Sequence, residues 1–449
     1  MRYVCLCALL VIASSGCTEE TEEIPCAELL NGVCVGVENE AGDKAGACPC
    51  TGPMAEVHNQ AELAAALAGA PSCVTLADGK YGVVEVHDGF QLVGASAKGV
   101  VLDWLSFVDG AASACRLTTT GATVWEGASG TMQYLSVGPS PDDGVIVGAG
   151  AEARIVGSTI ARSKRYGVSA FGHRSLTIER TLFDGSSYYA TGPGIWASCP
   201  EGCACAAIPE LVVRDSIVRE AGIVGLLISG THAELNNLRI ERTSVGPNLE
   251  AGIGLAVTQC ATVTGTQLQV VDNEDPGMCL DGSKVTLDDV EVSGNLRGIM
   301  LVSHSAPSEV HLTGATVTNN QGVGIGIAGA IFAVVDDSIV DNTMAIALPA
   351  LIDGTSAGAV SVGDGVCWNG SAVAHIHRMT VKGSQRNGFL INGPASGILE
   401  DVTLADGQIV QINYETGSQP MTSGATPPIE PIPEDMFCIE DRYPAPAPM

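Results

Sequence analysis

A glycine that opens a short apolar run recurs at a nearly constant interval along most of this 449-residue chain. The stretch "VSGNLRGIMLVS" at 292–303 shows the form: an Asn, two residues, a Gly, then the run. Aligning the runs places anchors at Gly144, Gly167, Gly194, Gly225, Gly252, Gly277, Gly298, Gly324, Ala345, Gly365 and Gly388, with steps of 20 to 31 residues. A unit of that length cannot bury an apolar face alone. Stacked copies can, by sharing one continuous core.

Each unit carries a second strand ahead of its anchor, as in "VTLDDVEV" (285–292), "AVVDDSIV" (333–340) and "HIHRMTV" (375–381). Apolar residues alternate there with period two, so these segments are strands. Asn273, Asn295, Asn320 and Asn342 each lie three or four residues before an anchor, which predicts a ladder of like side chains at one corner of the stack. The alternation points Met300 outward, with Ile146, Ser169, Trp196, Leu227, Gly254, Cys279, Gly326, Ala347, Cys367 and Leu390 as counterparts. So few polar groups on an outer face predict that it is covered, by the 416–449 tail, by the 199–210 insert or by a partner.

These repeats resemble the right-handed parallel β-helix proteins of the pectin-lyase-like fold. The resemblance begins at "NQAELAAALAGAPSCVTLADGKYG" (59–82), where family members carry a short capping helix, and covers roughly 59–415. It implies an all-β chain: one right-handed parallel β-helix of about 13–15 coils with residues 60–69 as the cap. The Pro-rich residues 416–449 read as a tail outside the ladder.

The ends and the cysteines speak to location. "MRYVCLCALLVIASSGCTEE" has one early Arg and an apolar core too short to cross a membrane, so residues 1–16 read as an export signal. "SSGC" resembles the lipobox of bacterial lipoproteins, which implies acylation of Cys17 and an outer-membrane or surface lipoprotein. Plain secretion with cleavage nearby is the alternative. Residues 17–23 read as a tether and 24–53 as a Cys-rich, disulfide-stapled segment. Thirteen cysteines follow Cys17 up to Cys438, an odd number, so at least one thiol is left over. The formal charge of −29 argues against nucleic acid.

Polysaccharide lyases and hydrolases share the resembled fold. The pectate-lyase pattern R-x-P-x-x-R and the epimerase signature D-P-H-E are absent, and "GHR" (172–174) precedes "VDD" (335–337), the reverse of the polygalacturonase order. Two regions remain as candidates. Register aligns Glu179, Arg214, Asp288, Thr313, Asp336, His377 and Glu400 in one outward column, in which Asp288, Asp336 and His377 are the candidate catalytic groups, with His311 and His375 in the neighbouring column. Outward positions on a soluble rod are polar in any case, and a calcium-binding groove is the other reading. The second region gathers Arg162, Lys164, Arg165, Tyr166, Phe171, His173 and Arg174, with Tyr188, Tyr189 and Trp196 one coil on, in a chain otherwise acidic and poor in aromatics. Rings there would stack on sugars and cations would hold an acidic group. Two functions follow: a lipid-anchored, non-catalytic surface for a glycan or an envelope protein, or a lyase or hydrolase of an anionic polysaccharide.

Overall fold

The computed structural model describes residues 27–36, 48, 50, 52–69, 72–185, 194–201, 204, 207–245, 252–304, 306–352, 355–406, 408–412, 418–424 and 429–431. Each coil runs through three strands, and stacking them in parallel builds three long sheets. In one coil these are Arg297–Val302 (sheet A), Ser308–Thr313 (sheet B) and Thr316–Thr318 (sheet C), after which Gly322–Ala328 re-enters sheet A beside the first strand. Sheet B stacks sixteen strands, from Met54–Val57 to Gln419–Ser423. The ladder therefore passes both edges of 59–415. Gln419–Ser423 and Ile429–Pro431 pair in parallel with the coil before them although each contains a proline. Among the described residues they are the last strands of their sheets, where a missing N–H costs little.

Glycine at the head of sheet A is dictated by backbone approach. A Cβ on Gly225 would fall 2.7 Å from the Gly254 carbonyl oxygen, one on Gly254 2.6 Å from that of Gly277, and one on Gly365 2.8 Å from that of Gly388. No larger residue fits without moving the next coil. The rung expected at Gly252 is thus Gly254. Ala345 is no rung either, because Gly324 abuts Gly365 directly. Between them Ile346–Ile352 folds back antiparallel on the start of Thr355–Asn369, so an inserted hairpin imitated the repeat length.

The Asn ladder holds for three of its four members. Asn295 Oδ1 accepts from the backbone N and the Nδ2 of Asn273, both at 2.9 Å, and Asn295 donates from the same groups to Asn320 Oδ1 at 3.0 Å. All three side chains are buried. Asn342 is displaced by one residue: it is exposed, sits at φ 51° and donates to Asn319, while Thr343 takes the buried rung.

From Arg116 onward the corner after each sheet B strand is one left-handed residue. Arg116, Tyr134, Arg180, Asp215, Asn237, Gln267, Asp289, Asp337, Arg378 and Asp401 all lie between φ 48° and 56°. Such a residue costs roughly 1–2 kcal/mol unless it is Gly. The inter-coil ladder offsets part of this, since it runs unbroken through the corner: Tyr134 N donates to Val156 O (2.9 Å), Asp337 N to His377 O (3.1 Å) and Arg378 N to Glu400 O (3.0 Å).

Helix α1, Gln60–Ala68, closes the N-terminal end as expected, with Asn59 as its cap and Leu63 buried in the core. The Cys-rich segment is stapled outward rather than to itself. Cys50 bonds Cys73 and Cys48 bonds Cys115, tying this segment to the first coils. Cys199, Cys260 and Cys367 are also disulfide-bonded, while Cys34 and Cys279 are the free thiols among the described residues. The short hairpin Glu28–Leu30/Val33–Val35 lies over sheet C, where Leu30 and Val35 cover Leu182 and Ile217 and Glu28 pairs with Arg219 at 2.6 Å. Among the described residues no helix is long and apolar enough to cross a membrane.

Candidate functional site

The three sheets differ in what their outer faces show. The outward column of sheet A runs Ile146, Ser169, Trp196, Leu227, Ala256, Cys279, Met300, Gly326, Cys367 and Leu390. Ala256 therefore holds the rung expected of Gly254, Cys367 holds its own expected rung, and Ala347 belongs to the inserted hairpin and not to the column. Met300, Leu227 and Leu390 are 4%, 7% and 0% exposed, so this face is covered, as its apolar character predicts. Over Cys367 and Leu390 the cover includes the inserted hairpin, through Ile346 and Val362. Burial also pushes the Cys279 thiol up to about 12, which leaves it unreactive.

The basic and aromatic cluster is assembled, but its groups are committed to one another. Tyr166 and Phe171 meet Trp196 edge-on at 5.0 and 4.7 Å, and Trp196 is half-buried against Leu227 and Ala256. Arg165 lies 5.1 Å over the Tyr166 ring and donates to Asp142 at 3.1 Å. Arg174 pairs with Glu152. His173 is buried with Nε2 at 3.2 Å from the Glu210 carbonyl, and burial pushes its pKa down to about 4, so it is neutral at pH 7. Arg162 and Lys164 are exposed. The cleft lined by Arg162, Arg165, Asp184 and Arg219 has a free volume of about 20 Å³, room for about one water and not for a sugar. Tyr188, Tyr189 and Cys17 lie outside the described residues.

Sheet B is different. Its outward positions from Lys284 to Glu400 are exposed or half-buried and alternate with inward residues that are buried except at Gly397. The observed register confirms the expected column: Glu179 pairs with Arg214, and Asp288, Thr313, Asp336, His377 and Glu400 occupy successive rungs. His377 Nδ1 lies 3.1 Å from Asp336 Oδ1. Arg378 Nη1 lies against the same ring, 2.8 Å from Nε2, and its guanidinium is held by Asp337 at 2.7 Å. The cation holds the Asp337 carboxyl below its usual range. The neighbouring columns carry a feature that sequence reading passed over. Phe332, 37% exposed, stands between His311 (ring centroids 6.2 Å apart) and His375 (5.4 Å), both edge-on. Beside them Lys284 donates to Glu309 at 3.1 Å, which holds the Glu309 carboxyl below its usual range. Phe332 is isolated in sequence, and only the coil register brings it between two imidazoles.

The family model described as "Right handed beta helix region" matches residues 205–363. The chain folds as a right-handed parallel β-helix. A comparison with curated proteins finds no match. Among solved structures, the β-helix resembles a periplasmic alginate epimerase, AlgG, with 11% identity, 84% of each chain covered and a TM-score of 0.40. It also resembles the A-module of the Azotobacter vinelandii mannuronan C-5 epimerase AlgE4 (15% identity, 86% of this chain and 96% of that one, TM-score 0.35). A third is the catalytic unit of a GH87 α-1,3-glucanase from Streptomyces thermodiastaticus strain HF3-3 (12% identity, 86% and 68%, TM-score 0.42). At these identities the likeness is one of fold.

Proposed function

We propose that this β-helix is an exported, non-catalytic binding surface for a glycan, and that the outer face of sheet B between residues 284 and 400 is the surface. The observation that carries the reading is Phe332, an exposed ring set on the outer face of the sheet between His311 and His375. Exposed aromatic faces favour the C–H faces of sugar rings, and a strand ladder repeats contacts at ~4.8 Å, close to the length of one extended hexose unit. In this reading the signal at 1–16 and acylation of Cys17 hold the rod at the cell envelope.

An enzyme is the second reading, favoured by the Asp336–His377 hydrogen bond with Glu400 one rung away. Against it, the Arg378 guanidinium packs against the imidazole, with Nη1 2.6 Å from Nδ1 and 2.8 Å from Nε2, which leaves neither nitrogen open to a substrate. Polysaccharides incubated with the protein, with and without calcium, are expected to be retained in affinity electrophoresis without release of reducing or unsaturated ends. Turnover that disappears in His377→Gln would overturn the non-catalytic reading.

A further inference from the structure

Between residues 284 and 400 the outward face of sheet B is mainly acidic. Its five strands from Lys284–Ser293 to Ser396–Glu400 present one lysine outward, Lys284, and Glu309 holds it at 3.1 Å. The arginine at the adjoining corner, Arg378, is held by Asp337. Among the described residues Asp288 and Glu400 form no ion pair with a lysine or arginine, Asp336 is hydrogen-bonded to His377 at 3.1 Å, and the three carboxylates stand in one column. Thr313 and His377 fill the rungs between them. Carboxylates therefore recur on alternate rungs, about 9.6 Å apart. Beside this column runs that of His311, Val334 and His375, and Phe332 stands one column further out with its ring between the two imidazoles.

An extended 1,4-linked sugar chain has near-twofold symmetry, so alternate residues present the same substituent to the same side. A carboxylate on every second rung matches a cationic substituent on every second sugar. The ring lane offers a hydrophobic and π-rich surface to the sugar faces, and a ring face also attracts an ammonium group. A uronate would instead meet carboxylates of its own sign, without an uncommitted cation among the described outward residues to hold it. The anionic glycans that the basic cluster at 162–174 suggested do not fit this face.

We propose that the sheet B surface takes a glycan of 1,4-linked amino sugars bearing free ammonium groups, lying along the rod axis with its amines on Asp288, Asp336 and Glu400 and its rings against Phe332. The proposal rests on sheet B being the glycan surface. Titration calorimetry of the full chain with a fully deacetylated chitosan hexamer, its N-acetylated counterpart and an oligogalacturonate separates the two. The deacetylated hexamer is expected to bind about tenfold tighter than the acetylated one, which corresponds to about 1.4 kcal/mol. The triple change Asp288→Asn, Asp336→Asn, Glu400→Gln should abolish that preference. It leaves most of the −29 charge in place, so non-specific attraction would survive it. All three side chains point away from the core, and an unchanged unfolding midpoint confirms that the variant is folded.

Equal or tighter binding of the acetylated hexamer or the uronate, or a preference that persists in the triple variant, would overturn the amino-sugar assignment while leaving the surface standing. If no hexamer binds, or if Phe332→Ala changes the affinity of none, the surface itself is refuted.

Discussion

Replacing Asn295 with alanine removes the centre of the buried corner ladder. Its Oδ1 accepts from the Asn273 backbone N–H and side-chain amide, and its Nδ2 donates to Asn320 and to the carbonyls of Val270 and Ser293 at 3.1 Å. The side chain is 0% exposed, so water cannot replace it without opening the corner. Alanine leaves both Asn273 donors without their acceptor. Each orphaned buried group costs about 1–3 kcal/mol, which sets the loss at roughly 3 kcal/mol. Urea unfolding followed by circular dichroism should show the midpoint fall by about 1 M for a slope near 3 kcal/mol/M. Hydrogen exchange should place the loss at the coils holding Asn273 and Asn295. The control is Asn342→Gly. That Asn has the same spacing in sequence but is exposed and left-handed, where glycine is at ease, so the change should stay within about 0.5 kcal/mol. If the two variants lose equal stability, the ladder does not end at Asn320 and the reasoning fails.

Gly298→Ala would drive a Cβ into the Gly324 carbonyl and to 2.8 Å from Val317 Cγ1. Thermal unfolding should register a loss of about 1–3 kcal/mol from the overpacking. His173 has a folded-state pKa near 4, below its ordinary value of 6.5. Between those values the unfolded chain binds the extra proton, so His173 lowers stability as pH falls from about 6.5 to 4, by up to roughly 3 kcal/mol. NMR titration should find this ring neutral at pH 5.5; a ring titrating near 6.5 would contradict its burial.

The parts of the fold legible in sequence are those where geometry allows few residue types. Glycine heads sheet A because a Cβ meets a carbonyl there, and Asn fills a corner where both its amide ends are used. Where two candidates share a motif the signal blurs. "AGIG" offers both Gly252 and Gly254, and only the contact with Gly277 selects the second. The left-handed corner left no signature, because the inter-coil ladder supports that backbone for Arg, Tyr, Asp, Asn and Gln alike. The N-terminal hairpin was equally silent: Asn31 bonds Asn237 at 2.7 Å across 206 residues of sequence. At the candidate site, alternation was enough to align Asp288, Asp336 and His377. The basic cluster was conspicuous in composition, yet the structure pairs Arg165 and Arg174 with carboxylates and sets the rings edge-on.

The central claim is that sheet B, and not the 162–199 cluster, holds the glycan. Isothermal titration of one retained oligosaccharide against wild type, Phe332→Ala and the pair Arg162→Ala with Lys164→Ala tests it directly. Phe332→Ala is expected to weaken binding by about tenfold or more, and the pair to leave it unchanged. Unimpaired binding by Phe332→Ala with binding lost in the Arg162/Lys164 pair would contradict the account.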